Sequence, residues 1–79
     1  MSRVRLFAAA AESVGQTEVH TQAVTVTELL DHLSTLGGPG TAEVLGRCSL
    51  LINGRRSKSG GDEIPSGAVV DVLPPFAGG

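Results

Sequence analysis

The chain has 79 residues, which allow one domain with a small core, because a chain of this length buries only about 60% of its unfolded surface. Six Lys and Arg face eight Asp and Glu, for a formal net charge of −2, which argues against nucleic acid as the main partner. The apolar runs fall well short of the roughly 20 residues that a membrane-spanning helix needs, so no membrane span is expected.

A single cysteine, Cys48, excludes an internal disulfide framework and is typical of a reducing compartment, so we expect a cytoplasmic protein. No signal peptide is expected, because Met1 leads directly into strand-like alternation.

Residues 3–8 alternate in character, which predicts a first strand with one face toward solvent. Phe7 falls on the solvent side of that strand. The inward positions are Val4, Leu6 and Ala8. A short alanine-rich helical segment follows and ends at Gly15, and residues 17–21 predict a second strand with Val19 inward.

The main helix has the clearest start signal. Thr25 and Glu28 form a capping box, and Val24 and Leu29 occupy the positions of a hydrophobic staple. Gly37-Gly38-Pro39 predicts the end of the helix. Its apolar stripe, which we expect to be core, consists of Val26, Leu29, Leu30, Leu33 and Leu36. Residues 41–47 predict a short further helix.

Two more strands and a polar edge complete the order. Residues 48–53 predict an apolar strand, and Asn53-Gly54 is a strong hairpin signal because both residues tolerate positive φ. Residues 55–58 return as a short basic edge, interpreted as a solvated hairpin that also could steer docking to an acidic surface. Residues 68–73 predict the last strand. The pattern predicts an α+β domain, with a helix packed on one face of a sheet.

The outward side chains of these strands include four hydrophobic residues. If the first, third and last strands are neighbours, these residues form an exposed apolar patch, which usually marks a protein interface. The alternative is scattered surface hydrophobic residues, which are common on any protein. The four residues are Phe7, Leu51, Val69 and Leu73.

The last six residues, Pro74 to Gly79, are the most distinctive stretch. Pro74 and Pro75 favour a stiff, extended exit from the last strand, and Phe76 and Ala77 lead to Gly78-Gly79. Glycine has no side chain to hinder a partner that approaches a terminal carboxylate. The alternative is an ordinary frayed terminus or a remnant of cloning.

No other cluster predicts catalysis. Cys48 alternates inward with Leu50 and Ile52, which indicates a buried small hydrophobic residue rather than a nucleophile. His20 and His32 lack metal-ligand spacing, and Asp62-Glu63 is interpreted as a solvated pair in a turn. The expected reactive group is therefore the α-carboxylate of Gly79.

The order of elements and the ending from Val72 to Gly79 resemble the ubiquitin-like β-grasp sulfur carriers, and among them the small subunits of molybdopterin synthase. Residues 3–8 and 11–15 resemble that family's first strand and first helical segment. The resemblance implies a mixed sheet of about five strands, with one main helix on one face and a flexible diglycine tail. Residues 1–79 would be one domain, with a body of residues 1–73 and a tail of residues 74–79.

The resemblance also implies the chemistry. An E1-like activating enzyme would use ATP to adenylate Gly79, and a sulfur source would convert it to a thiocarboxylate. The small subunit would bind no cofactor and would not be an enzyme on its own. The tail, from Pro74 through Gly79, would enter the large catalytic subunit and donate sulfur for the dithiolene of molybdopterin, in a heterotetramer of two small and two large subunits. Phe7 and Leu73 match interface positions of the family.

Three residues depart from the family pattern. Arg56 stands where an apolar residue is common, Ala68 where an acidic residue is common, and Phe76 where a smaller β-branched residue is usual. These departures put one edge of the interface and the size of the partner's pocket in question.

Three other functions stay open. The chain could carry sulfur for thiamine or another pathway, a choice that neighbouring genes would decide. It could instead be a protein modifier, with Gly79 joined to lysines of target proteins. It could also be an interaction module with a dispensable tail.

Overall fold

The computed structural model describes residues 1–75, which form five strands and three helices. In chain order the elements are β1 (Ser2–Leu6), α1 (Ala8–Val14), β2 (Glu18–Thr21), α2 (Val26–Gly37), α3 (Thr41–Gly46), β3 (Ser49–Ile52), β4 (Arg55–Arg56) and β5 (Val69–Leu73).

The strands form one mixed sheet in the order β2-β1-β5-β3-β4. The central strands β1 and β5 are parallel, whereas β1–β2, β3–β5 and β3–β4 are antiparallel. The first, third and last strands are therefore neighbours. β2 and β4 are the two edges of the sheet.

Alternation in the strands supplies one layer of the core, and the helices supply the other. Alternate residues of β1, β3 and β5 are buried, and side chains of all three helices pack against them. Thr21 of β2 is buried as well as the predicted Val19. The buried hydrophobic residues of the strands are Val4, Leu6, Val19, Leu50, Val70 and Val72.

The N-cap of α2 forms as predicted, but the returning bond of the capping box goes to Val24, the residue before the N-cap, rather than to Thr25. The Thr25 hydroxyl accepts the Glu28 N–H at 3.2 Å, and the Glu28 carboxylate accepts the Val24 N–H at 3.0 Å. Such a cap typically contributes about 1 kcal/mol. Gly38 ends the helix with a φ of 83°, which favours glycine because it has no Cβ.

The turns also follow the prediction. Gly15 closes α1 in the left-handed region, and its N–H donates to the Ala11 carbonyl. Asn53 and Gly54 have φ values of 51° and 85°, as the primed turns of tight hairpins require.

Two predicted core placements were wrong, and one residue of the predicted staple is exposed. Ala8 does not continue β1 but is exposed at the start of α1, because the Phe7 carbonyl already accepts the Ala10 N–H. Leu36 is 42% exposed, since Gly37 continues the stripe four residues after Leu33 and faces Ser13 and Thr41. Val24 is 57% exposed, so the predicted staple does not bury it.

The buried hydrophobic residue beside Val24 is Ile64, whose N–H donates to the Val24 carbonyl at 2.8 Å. Among residues 1–75, no helix is long and apolar enough to cross a membrane.

Candidate functional site: the outer face and the tail exit

The sheet face opposite the helices, called the outer face below, carries the side chains that alternate with the buried ones. Its central row pairs Arg5 with Asp71 and Asp71 with Leu51, and Leu51 in turn pairs with Arg56. On either side of that row, Val69 pairs with Arg3, and Leu73 pairs with Ser49.

The four hydrophobic residues predicted to form an apolar patch lie at or beside this face. Phe7 is 41% exposed, and its N–H donates to the Val72 carbonyl at 3.2 Å, which holds it beside the end of β5. Leu51, Val69 and Leu73 are half-buried. Partner binding by these four residues stays a prediction.

An ion pair lies within this group of hydrophobic residues. The Arg5 guanidinium donates to both oxygens of Asp71, from Nε at 2.6 Å and from Nη2 at 2.9 Å. Because Asp71 lies between Val69 and Leu73 on the strand, this ion pair separates the two. The apolar surface nearest the tail therefore consists of Phe7 and Leu73.

The two side chains of the ion pair differ in exposure. The Arg5 side chain is 44% exposed and that of Asp71 is 16% exposed. Hydrogen bonding and charge attraction from Asp71 raise the already high pKa of Arg5, so Arg5 is cationic at every physiological pH. An exposed, bidentate pair of this kind orients both groups but contributes little net stability.

The tail begins directly beside this surface. β5 ends at Leu73, which is in register with Ser49, the first residue of β3. Pro74 is half-buried and Pro75 is exposed. Neither has an N–H to continue the sheet, so the chain stops pairing there. The remaining predicted site residues, Phe76, Ala77, Gly78 and Gly79, lie outside the described residues.

Asp62 is not the simple solvated residue that its position in a turn suggested. Its carboxylate accepts the Lys58 N–H at 2.7 Å, the Ser59 N–H at 3.1 Å and the Ser57 hydroxyl at 2.9 Å. These donors stabilise the ionised form and hold the pKa of Asp62 below its ordinary value. The carboxylate thus organises the loop that follows β4.

The cysteine has the surroundings of a structural residue. Cys48 is half-buried, and its thiol donates to the Val44 carbonyl at 3.3 Å. Burial raises the pKa of the thiol, which disfavours the nucleophilic thiolate. Within residues 1–75, no three His, Cys, Asp or Glu side chains are grouped so that they could hold a metal ion.

Two features were missed by reasoning from the sequence. Alternation placed Arg5 and Asp71 on the outer side of their strands, but only the parallel register of β1 and β5 shows that they face each other. The hydrogen bonds of Asp62 had a local signal, since an Asp near Ser57 and Ser59 commonly accepts backbone N–H groups in a turn.

The mixed five-stranded sheet, with α2 as the main helix packed on one face, defines the ubiquitin-like β-grasp class. The chain belongs to the ThiS family, because that family's model matches residues 4–79. The family and the fold that the sequence resemblance implied are thereby confirmed, as is the coarser description of a small ubiquitin-like protein of the sulfur-carrier type.

Solved structures agree with this assignment. SAMP1 from Haloferax volcanii is 26% identical, with a TM-score of 0.80 and coverage of 99% of this chain and 98% of that chain. A chain in the complex of subunits 1 and 2 of the molybdopterin-converting factor from Helicobacter pylori is also 26% identical. Its TM-score is 0.72, with 99% of this chain and 97% of that chain covered.

A chain in the BexX/CysO complex of Amycolatopsis orientalis has a TM-score of 0.81, and each chain is covered completely. At 19% identity this likeness concerns the fold alone. None of the curated proteins compared with the chain matches it.

Proposed function

We propose that the protein is a cytoplasmic sulfur carrier and the small, non-catalytic subunit of molybdopterin synthase, with Gly79 as the C-terminal residue of its active form. The observation that carries this proposal is the extent of the family match, which runs through the tail to residue 79. The likeness to a chain of the molybdopterin-converting factor complex supports the choice of pathway.

The first chemical step activates an unreactive group. The Gly79 carboxylate attacks the α-phosphorus of ATP on an E1-like enzyme, which releases pyrophosphate and leaves an acyl adenylate. Sulfide then attacks the acyl carbon, and AMP leaves. If a persulfide attacks instead, AMP leaves and an acyl disulfide remains, and a further thiol must reduce its S–S bond, forming a disulfide itself, to release the thiocarboxylate. The product is a thiocarboxylate at Gly79, and ATP is consumed by the partner rather than bound by this chain.

The second step transfers the sulfur. The outer face around Phe7 and Leu73 would dock on the large subunit, and Pro74 and Pro75 would direct the tail toward its active site. Because residues 78 and 79 are glycine, a narrow channel can admit the terminus. The thiocarboxylate then donates sulfur for the dithiolene of molybdopterin.

Reconstitution with defined components tests the pathway. The chain bearing a Gly79 thiocarboxylate is mixed with the large subunit of the same organism and the cyclic pyranopterin precursor, and molybdopterin is measured. We expect molybdopterin with this form, and none with a chain extended by one alanine after Gly79. Turnover by the extended chain, without trimming back to Gly79, would refute the proposal.

A second candidate function is protein modification, favoured by the likeness to SAMP1, a small archaeal modifier protein. In that case Gly79 would form an isopeptide bond with lysines of target proteins. Ladders of larger conjugates that depend on Gly79 in cell extract would support it. A thiocarboxylate without conjugates would argue against it and leave molybdopterin, thiamine or another sulfur pathway as the destination.

A further inference from the structure

The cations of this chain fall into two groups by their surroundings. Three of the six Lys and Arg residues form ion pairs: Arg3 with Glu18 at 3.9 Å, Arg5 with Asp71 at 2.6 Å, and Arg47 with Glu43 at 2.9 Å. The other three are Arg55, Arg56 and Lys58, called the hairpin cations below. None has a carboxylate oxygen of residues 1–75 within 4.0 Å of its side-chain nitrogens.

The hairpin cations are concentrated within four residues at one edge of the sheet. β4 pairs only with β3 in the described part of the chain, so its other side is open. Arg56 is in register with Leu51 and shares the outer face with it, whereas Arg55 is in register with Ile52. All three side chains are exposed.

The backbone that carries these cations is held in place. The Asn53-Gly54 turn sets the hairpin, and the Lys58 N–H donates to Asp62 at 2.7 Å. Asp62 and Glu63 line the same shallow groove as Arg55 and Arg56. However, the Asp62 carboxylate is engaged by Ser57, Lys58 and Ser59 through their hydroxyl and backbone N–H groups, so it does not pair with the cations.

We propose that the hairpin cations form a docking edge for an acidic surface of the large subunit, the protein that receives the C-terminal tail. This inference rests on the proposed function and specifies the chemistry of its partner. The edge is continuous with the outer face through Leu51 and Arg56. The three hairpin cations outnumber Asp62 and Glu63, the two carboxylates of the groove beside them, so this edge keeps a net positive charge on a chain of net charge −2. Such a local field accelerates encounter with a negative surface.

The test compares two double variants with equal net charge. Arg55→Gln/Arg56→Gln removes two positive charges at the β4 edge. The control, Gln16→Glu/Gln22→Glu, adds two negative charges at exposed positions that flank β2 at the opposite edge. Both variants therefore shift the net charge by −2, and only the location differs.

Association rates are measured with the large subunit of the same organism, at low and high salt. We expect the hairpin variant to associate about tenfold more slowly than the wild type at low salt. The control should slow it by less than about twofold, and the differences should vanish near 1 M salt, where screening acts within about 3 Å.

Equal rates for the wild type and the hairpin variant, or equal slowing by both variants, would overturn the docking edge while leaving the carrier function standing. Faster association of the hairpin variant would show a basic partner surface and would also overturn it. If the wild type does not bind the large subunit, the proposed function fails together with this inference.

A parallel gel-shift assay with a random-sequence DNA duplex tests whether the same cations bind nucleic acid instead of a protein. We expect no shift for the wild type. A shift that the hairpin variant loses would assign this edge to nucleic acid and overturn the proposal. Thermal unfolding of both variants should match the wild type, because the replaced side chains are exposed.

Discussion

At the scale of single residues, neighbouring positions at the end of β1 have opposite roles. Leu6 is buried in the core, with 3% of its surface exposed, whereas Phe7 is 41% exposed. The Phe7 backbone is held beside Val72 by a hydrogen bond, so its ring is positioned without being part of the core. An exposed aromatic residue beside the tail exit is typical of an interface anchor.

Alanine substitution of Leu6 and of Phe7 is expected to have opposite effects on stability and on partner binding. Phe7→Ala should cost less than roughly 1 kcal/mol of folding free energy but weaken binding to the large subunit by about tenfold. Leu6→Ala should cost about 2–5 kcal/mol of stability. Chemical denaturation and calorimetric titration measure the two quantities. If Phe7→Ala lost much stability while its folded molecules bound the large subunit as well as the wild type does, Phe7 would act only in the fold.

At the scale of elements, α2 and α3 meet through glycine. A Cβ on Gly37 would overlap the Thr41 side chain and the Ser13 carbonyl oxygen, whereas a Cβ on Gly46 would meet no atom within 4 Å. The Thr41 hydroxyl donates to the same Ser13 carbonyl at 3.2 Å. Close packing between α1, α2 and α3 therefore depends on the missing side chain of Gly37.

Alanine at these two positions should have opposite effects on stability. Gly37→Ala should destabilise the fold by about 1–3 kcal/mol through overpacking. Gly46→Ala should stabilise it by up to roughly 1 kcal/mol, because alanine loses less entropy in a helix. Urea unfolding measures both. If Gly37→Ala were as stable as the wild type, the close contact of the helices would be wrong.

The loop after β4 predicts a dependence of stability on pH. Because the folded-state pKa of Asp62 lies below its ordinary value of 3.8, its stabilising effect is complete above that value. It declines as the pH falls toward the folded-state pKa. Asp62→Asn should therefore lower the melting temperature at neutral pH by several degrees, and the difference from the wild type should shrink below pH 3.8.

Glu63→Gln is the matched control for Asp62→Asn, since Glu63 is adjacent and exposed. Its melting temperature should stay close to that of the wild type at neutral pH. A difference between Asp62→Asn and the wild type that persists unchanged in acid would contradict the role assigned to the carboxylate.

Local patterns in the sequence were sufficient for most of the fold. Alternation and the Asn53-Gly54 hairpin signal located the five strands to within two residues, and the Thr25–Glu28 pair marked the start of α2. The misplaced residues depend on tertiary contacts instead. Leu36 fits the stripe but lies beyond the packed helix surface, and Ala8 alternates correctly but begins a helix. The facing of Arg5 and Asp71 required the register of two strands 66 residues apart in the chain, which local patterns do not contain.

At the scale of the whole molecule, the fold places an exposed aromatic residue and the last strand's final side chain beside the start of the tail. Phe7 and Leu73 lie beside the point where the tail leaves the sheet, and Arg56 extends the outer face at its edge. The body would recognise the partner while the tail carries the sulfur. In this proposal the chemistry depends on Gly79 alone, because no residue of the body is expected to carry the sulfur in its place.

The most direct test of this account is the mass of the C-terminal fragment after incubation with ATP, a sulfide source and the activating enzyme of the same organism. Oxidation of Met1 or Cys48 adds nearly the same mass as exchange of oxygen for sulfur. Cleavage after Lys58 avoids this ambiguity, because residues 59–79 contain neither methionine nor cysteine.

We predict that the mass of this fragment increases by the difference between one sulfur and one oxygen atom. The exchange should be located on Gly79 and should require ATP. The activating enzyme is first shown to modify another carrier protein under the same conditions. An unchanged fragment of this protein would then contradict sulfur carriage by it.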